Sequence, residues 1–369
     1  MTSAMHALFA FCFILFTSTV ALAEPKAKNV ILFLADAGGT STLHAASIQG
    51  YGDTRKLFVQ SMPHIGLSDT SSASAWVSDS AAGMTAIVTG KKTHNGVISM
   101  GPDAERGKKD GTPLKTILEY AEEHGLSTGV VTNMAFYDAT PAACYAQAND
   151  RAATADILKD FLNPRFGDGV DVLIGAGRPA ATKAATAAGF DFFAEAQKKG
   201  YTVESTPDKV DAKARRLVAV FNSGAYDLAS AMNAAIASLS RNPKGYFLMV
   251  EWDAHTDNPK AGLDRVVVFD KAIRDVAARP DMKKTLLLFT ADHSFDLRMI
   301  SGRRNTPLNL PANREEGATG KFAVRVNGSH AGEEVLVAAK GPGSSRVHGY
   351  LANTDLFQVM MAAYGWKEK

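Results

Sequence analysis

Short apolar runs rich in β-branched residues recur along the chain and predict the strands of a β-sheet. Seven runs have this composition, at residues 29–35, 127–132, 170–174, 217–221, 245–251, 285–291 and 334–338. Runs of this length are typical of buried strands. The sequence therefore predicts a sheet whose strands are distributed over most of the chain.

Between most of these runs, apolar residues recur at the i, i+3, i+4 spacing of amphipathic helices. The clearest such stretches are residues 153–161, 226–239, 263–278 and 354–364. Their apolar stripes are expected to serve core packing. Strands that alternate with helices predict an α/β fold in which a central, mostly parallel sheet has helices on both faces. No repeat and no long Pro/Gly linker divides the chain, so residues 24–369 are expected to form a single domain.

The first 23 residues predict a secretory signal peptide. An apolar run at residues 7–16 is followed by small residues that end at Ala23. The segment departs from the usual pattern because it has no Lys or Arg. An uncleaved anchor is the alternative, although the apolar core is short for a span of about 20 residues. Cys12 does not lie in a lipoprotein motif, so no lipid anchor is expected. With a cleaved signal peptide, we expect a periplasmic or secreted protein with no stable membrane anchor.

Cysteine content and charge exclude two classes of protein. Removal of the leader would leave Cys144 as the only cysteine, so no disulfide within the chain is expected. Lys and Arg total 40 against 38 Asp and Glu, a net charge of +2. That balance gives no indication of nucleic-acid binding, which requires a strongly basic surface.

Polar side chains collect where the predicted strands end. They are Asp36, Asp138, Thr140, Glu251, Asp253, His255, Asp292 and His293, with His330 just before the last strand. In open α/β sheets ligands bind beyond the carboxyl ends of the strands. Each residue alone has an ordinary interpretation as a helix cap or a solvated turn, but their coincidence at strand ends predicts one functional site.

The residue types at these positions are those that bind metal ions. Three imidazoles and several carboxylates are enough for two zinc-type sites and one site built from oxygen ligands. Asp253 and His255 are close enough in sequence to bind one ion from the same loop. We assign the other histidines after the leader to structural or surface roles: His44, His64, His94, His124 and His348.

Ser80 is the candidate nucleophile. It follows Asp79 and precedes a run of small residues that predicts the start of a helix. Backbone N–H groups and the helix dipole at such a position stabilise an anionic group. A simple helix N-cap is the alternative role for this serine. No histidine lies near it in sequence to act as a base, so metal ions are expected to activate its hydroxyl.

Arg151 follows Asn149-Asp150 where a helical pattern begins. Taken alone, it is interpreted as a solvated charge at the start of a helix.

These motifs, taken together, resemble the alkaline phosphatase family over almost the whole chain after the leader. The matching segments are Asp79-Ser80-Ala81-Ala82, residues 89–96, Asp138-Ala139-Thr140-Pro141-Ala142, Arg151 eleven residues after Thr140, Thr290-Ala291-Asp292-His293 and Gly328-Ser329-His330-Ala331-Gly332. The resemblance implies hydrolysis of small-molecule phosphate monoesters through a phosphoserine at Ser80, with Arg151 binding the phosphate. A guanidinium in that place can hold two phosphate oxygens at once, which favours monoesters over diesters, because diesters have one fewer anionic oxygen. It is also compatible with a homodimer.

The resemblance implies two Zn²⁺ and one Mg²⁺ per chain. It places the first zinc on Asp36, Asp292 and His293, and the second on Asp253, His255 and His330. It places magnesium on Glu251, Thr140 and Asp36, so that Asp36 is shared with the first zinc. It also implies that Asp138 contacts a water molecule bound to magnesium.

One loop departs from the family pattern. Glu251, Asp253 and His255 are closer together than the family's equivalent residues, and His255 is aligned through the following Asn258-Pro259. Asp257 is the alternative ligand, because it keeps an i, i+4 spacing from Asp253. The inserted domains of larger relatives are expected to be absent.

Other functions remain open from the sequence. A phosphodiesterase, phosphonate hydrolase or sulfatase of the same superfamily would share the metal ligands. Sulfatases also need a modified Cys or Ser within a motif of their own, and that motif is not seen in this sequence. An exported phosphate-binding protein is the non-enzymatic alternative.

Overall fold

The computed structural model describes residues 26–368, so the signal peptide predicted for residues 1–23 lies outside the described part. The strands are β1 Asn29–Asp36, β2 His64–Ser68, β3 Ser127–Ala135, β4 Val172–Ala176, β5 Thr202–Glu204, β6 Leu217–Val220, β7 Tyr246–Asp253, β8 Thr285–Thr290, β9 Ser294–Met299, β10 Val324–Ala331, β11 Val335–Lys340 and β12 Gly349–Leu351. The helices are α1 Thr40–Tyr51, α2 Ser80–Thr89, α3 Ile117–Glu123, α4 Ala139–Ala142, α5 Thr154–Leu162, α6 Arg178–Ala187, α7 Phe192–Lys198, α8 Leu228–Leu239, α9 Pro259–Ala277, α10 Arg314–Gly317 and α11 Asp355–Tyr364.

Ten strands form one central sheet in the order β12-β2-β11-β8-β1-β7-β3-β4-β6-β5. Strand β11 pairs antiparallel with β2 and β8, while the other neighbours in this sheet pair in parallel. The predicted α/β fold with a mostly parallel sheet is confirmed. Strand β1 lies at its centre, between β7 and β8, so every residue of β1 is buried.

Two apolar cores cover the two faces of the sheet. Along β1, Val30 and Leu32 belong to one core, while the alternate residues Ile31 and Phe33 belong to the other. The first core includes α2, α5 and α11, and the second includes α1, α8 and α9. This alternation is what a strand with helices on both sides requires, because successive side chains point to opposite faces.

The seven predicted strands and the four predicted helices are present with small shifts at their ends. The additional strands are the sheet edges β5 and β12, strand β2, and a separate antiparallel pair, β9 and β10. The additional helices are α1, α3, α4, α6, α7 and α10. Within residues 26–368, none of the helices is both long and apolar enough to span a membrane.

Candidate metal centre and nucleophile

The carboxyl ends of the central strands bring three carboxylates to one edge of the sheet. Asp36, the last residue of β1, is in register with Asp253 at the end of β7. On the other side, Leu34 of β1 is in register with Thr290, the last residue of β8, so Asp292 follows just beyond the same edge. The predicted site at the strand ends therefore forms from the parallel pairing of β1, β7 and β8.

Asp36, Asp292 and His293 form a fully buried group, which we call the deep cluster. Each offers a ligand atom, and these atoms lie within 4.8 Å of one another. The exposed fraction of each residue is 3% or less. Oxygen and imidazole ligands at this separation suit a zinc-type ion.

Burial dominates the electrostatics of the deep cluster. Burial and then the neighbouring Asp292 and Asp253 raise the pKa of Asp36 well above its ordinary value. Burial also lowers the pKa of His293 to about 4, so its imidazole is neutral and able to bind a metal at neutral pH. The two carboxylates and the neutral imidazole of the deep cluster therefore favour the binding of a cation.

Buried acceptors without donors support the same conclusion. Asp36 Oδ1, Asp292 Oδ2 and Glu251 Oε1 are buried and have no hydrogen-bond partner within the described residues. An unpaired buried carboxylate is costly unless a cation or a donor compensates it. The donor set and its missing partners therefore fit metal ions.

A second group lies nearer the surface, and we call it the loop cluster. His255 and His330 have ligand atoms within 4.8 Å of each other and of His293. His330 Nδ1 lies 3.0 Å from the carbonyl oxygen of Ser78 and must donate to it, which leaves Nε2 free as a ligand. The Nδ1 atom of His255 lies 3.0 Å from Asp253 Oδ1.

The shortened loop places His255, and not Asp257, in the loop cluster. The side chain of Asp257 is 56% exposed, and its Oδ1 lies 3.9 Å from Nη1 of Arg314. Burial acts to raise the pKa of Asp253, but hydrogen bonds from His255 and the charge of Arg265 outweigh it and hold this pKa below its ordinary value.

Ser80 is the first residue of α2, and Asp79 is its N-cap. The Asp79 carboxylate accepts the backbone N–H of Ala82 at 3.1 Å, so the N-cap role that was the alternative for Ser80 belongs to its neighbour. Ser80 Oγ lies 3.1 Å from Nε2 of His293. The serine that had no histidine near it in sequence therefore contacts one in the folded chain.

Gly83 allows α2 to approach the end of β8. A Cβ atom at this position would lie 2.4 Å from the carbonyl oxygen of Asp292, a distance that real contacts do not reach. The missing side chain is what lets the helix start lie against the deep cluster. Close backbone approach is a common reason for glycine within a helix.

Arg151 is held between two carboxylates beside Ser80. Its Nη1 lies 3.1 Å from Asp79 Oδ2, and its Nη2 lies 2.8 Å from Asp138 Oδ1. Burial alone would lower the pKa of the guanidinium, but Asp138 and Asp79 raise it above its ordinary value. Arg151 is therefore a positive charge held in place at the site. It is not the solvated charge that its position in the sequence alone would suggest.

The residues expected to bind magnesium lie on β7 and around α4. Glu251 is buried in β7, where its Oε2 accepts a hydrogen bond from the Thr132 hydroxyl. Asp138 is the N-cap of α4, and Thr140 is buried in that helix. Within residues 26–368, the two groups of potential metal ligands contain none of the five histidines assigned to structural or surface roles. They also do not contain the predicted ligands Asp138, Glu251 and Asp253.

Comparison with known proteins decides the family. The family model described as alkaline phosphatase matches residues 27–203 and 222–318. The chain belongs to the alkaline phosphatase family.

Relatives match over nearly their full length. The alkaline phosphatase of Escherichia coli is 28% identical, with 94% of this chain and 88% of that protein covered. Streptomycin-6-phosphate phosphatase of Streptomyces griseus is also 28% identical, covering 95% and 93%. The chain is therefore a hydrolase of the alkaline phosphatase superfamily.

Solved structures of this family share the fold. The alkaline phosphatase of the Antarctic bacterium TAB5 superposes with a TM-score of 0.76 at 24% identity, covering 94% of this chain and 100% of that one. The Thermus thermophilus enzyme gives 0.79 at 22% identity, with 94% and 93% covered. A TAB5 variant at 25% identity, with a TM-score of 0.76 and the same coverage, carries magnesium in its M3 site.

Sequence reasoning assigned no supporting role to three residues that hold the candidate site together. Asp79 positions Arg151, Thr132 binds Glu251, and Arg265 contacts the loop that carries His255. Only Asp79 gave a signal, because an aspartate directly before a helix start is a common N-cap. The other two act across the sheet or from a helix, where spacing in sequence carries no information.

Proposed function

We propose that this chain is an exported, metal-dependent phosphomonoesterase that acts on small-molecule phosphate monoesters through a phosphoserine at Ser80. The observation that carries the proposal is the position of Ser80 at a helix start, 3.1 Å from His293 of the deep cluster and directly after Asp79, which pairs with Arg151. The apolar leader in the sequence supports export to the periplasm or secretion. A homodimer is compatible with the family.

We infer two zinc sites and one magnesium site. Asp36, Asp292 and His293 would hold the first zinc, and Asp253, His255 and His330 the second. Glu251, Thr140 and Asp36 would hold magnesium, with Asp138 beside it. When bound, these ions stabilise the entering and leaving oxygens and lower the pKa of a bound hydroxyl.

The chain's own residues supply the nucleophile and the phosphate ligand. Ser80 Oγ gives its proton to solvent and forms the bond to phosphorus, and the bond from phosphorus to the alcohol oxygen breaks. The alcohol leaves after taking up a proton from solvent. Water then attacks phosphorus, the bond from phosphorus to Ser80 Oγ breaks, Ser80 Oγ takes up one of the water's protons, and phosphate leaves. The N–H groups at the start of α2 and the guanidinium of Arg151 stabilise the negative oxygens during both displacements.

Hydrolysis of an aryl phosphate by the metal-loaded protein, with and without a chelator, tests this proposal. We expect activity that the chelator abolishes and added zinc and magnesium restore. Acid quenching with labelled phosphate should label the wild type on Ser80 and leave Ser80→Ala unlabelled. Thr85→Ser, a change at a buried hydroxyl of the same helix, is the matched control and should still be labelled.

The alternatives give different outcomes. Faster turnover of an aryl diester than of the monoester would make the chain a phosphodiesterase. Phosphate binding with no turnover in the metal-loaded protein would make it a binding protein.

A further inference from the structure

The loop between β7 and α9 carries His255 and is held against the second turn of α9. We propose that Arg265 is a positioning residue that fixes this loop and thereby sets the zinc affinity of the site formed by Asp253, His255 and His330. The inference rests on the proposed function, because it concerns a metal site of that enzyme. It goes further, since the motifs that identify the family do not include this arginine.

One guanidinium contacts both ends of the turn. Arg265 Nε donates to the carbonyl oxygen of Asp253 at 2.9 Å, and Nη2 donates to the carbonyl oxygen of His255 at 2.8 Å. The same Nη2 lies 3.0 Å from Asp253 Oδ2. Arginine can satisfy several acceptors at once because its donors form a rigid planar fork, whereas the lysine ammonium is a flexible point charge.

A glycine one turn earlier lets the loop reach the arginine. A Cβ atom on Gly262 would lie 2.3 Å from the carbonyl oxygen of His255. Residues three apart on a helix share a face, so Gly262 and Arg265 act on the same carbonyl group. One allows the loop to approach the helix, and the other holds it there.

The contacts on the sheet side fix only the start of the loop. The backbone N–H of Asp253 donates to Asn133 Oδ1 at 2.8 Å, and that of Ala254 donates to the Asp36 carbonyl at 2.9 Å. The His255 carbonyl is held by Arg265 from the helix side. Loss of Arg265 therefore frees the part of the loop that orients the His255 imidazole.

Arg265 also balances a charge. The carboxylate of Asp253 binds His255 through Oδ1 and Arg265 through Oδ2. Asp36 and Asp292 are close enough for their charges to interact, and Asp253 adds to that repulsion at Asp36. Arg265 keeps Asp253 oriented toward His255, the kind of support that typically changes metal affinity by about 10- to 100-fold.

The test is zinc binding by the metal-free full chain, measured by competition with a chromogenic chelator at one fixed pH. We expect Arg265→Gln to weaken one of two zinc sites by about 10- to 100-fold and to leave the other unchanged. Arg265→Lys should recover part of the loss. Gly262→Ala should weaken the same site by displacing the loop from the other side.

Arg274→Gln is the matched control on the same helix. Its guanidinium is half exposed and pairs with the adjacent Asp275, so both zinc affinities should stay at the wild-type values. Thermal unfolding of the metal-free variants checks that each is folded. Unchanged affinity in Arg265→Gln, or equal loss at both sites, would overturn the inference. A wild type that binds no zinc would overturn the proposed function together with it.

Discussion

The deep cluster and the loop cluster lie side by side but are built in different ways. Asp36, Asp292 and His293 follow the ends of central strands and are buried. His255 and His330 lie on a loop and near the end of an outlying strand, and both are partly exposed. The sheet fixes one set of candidate ligands by its topology, while the position of His255 depends on side chains that hold a loop in place.

Asp292→Asn is expected to have the largest effect and to act on the deep cluster. Activity toward an aryl monoester should fall by about a thousandfold or more, because a buried anionic ligand is lost. The metal-free protein should become more stable by about 1–3 kcal/mol, since a buried carboxylate beside Asp36, whose Oδ2 has no hydrogen-bond partner within the described residues, is replaced by a neutral amide. Denaturant unfolding in the presence of a chelator measures this, and a less stable metal-free variant would contradict it.

His255→Ala and Asp257→Ala compare the two candidate ligands of the loop cluster. His255→Ala should lose close to one zinc per chain and most of the activity, because its imidazole lies in the cluster. Asp257→Ala should keep both, because its side chain is exposed beside Arg314. Metal analysis after desalting measures the difference, and the reverse pattern would make Asp257 the ligand.

Arg151→Ala should have a smaller effect that depends on the substrate. Catalysis on an aryl monoester should fall by about a hundredfold, because two charge-assisted hydrogen bonds to phosphate are lost. An aryl diester should lose less than about tenfold, since it offers fewer charged oxygens. Steady-state kcat/KM on both substrates gives the ratio. Equal losses would assign Arg151 a structural role between Asp79 and Asp138.

Ala37→Gly should have the smallest effect and sharpens the description of the deep cluster. Ala37 directly follows Asp36 and has a φ of 66°, in the left-handed region that costs other residues about 1 kcal/mol more than glycine. We expect stability to rise by about 0.5–1 kcal/mol. Ala45→Gly, inside helix α1, should lower it by a similar amount. Denaturant midpoints measure both, and a loss of stability in Ala37→Gly would show that its methyl group is needed for packing.

The strands and helices of the sheet could be predicted because their apolar patterns are local. The runs that became β1, β7 and β8 were visible in sequence, and parallel pairing then required Asp36, Asp253 and Asp292 to meet at one edge. Strands β2, β5, β9, β10 and β12 were not predicted. Strands β5 and β12 have only three residues each, which is too short for a periodic signal. The other three contain polar residues and form no continuous apolar run.

The contacts within the site could not be predicted. The approach of His293 to Ser80 depends on how α2 packs against the end of β8, which in turn depends on the missing side chain of Gly83. Whether His255 or Asp257 lies beside His293 and His330 depends on the path of one short loop. Motif spacing supplied the candidates, and packing decides which of them come together.

The position of β1 at the centre of the sheet has a consequence for how the active protein is made. Val30 pairs with Phe247 on one side and with Leu286 on the other, so the deep cluster joins distant parts of the chain. Closing such long loops is entropically costly and slow. Metal capture at Asp36, Asp292 and His293 is therefore expected late in folding. In an unfolded chain these three residues are far apart, so a bound metal ion would stabilise only the completely folded protein.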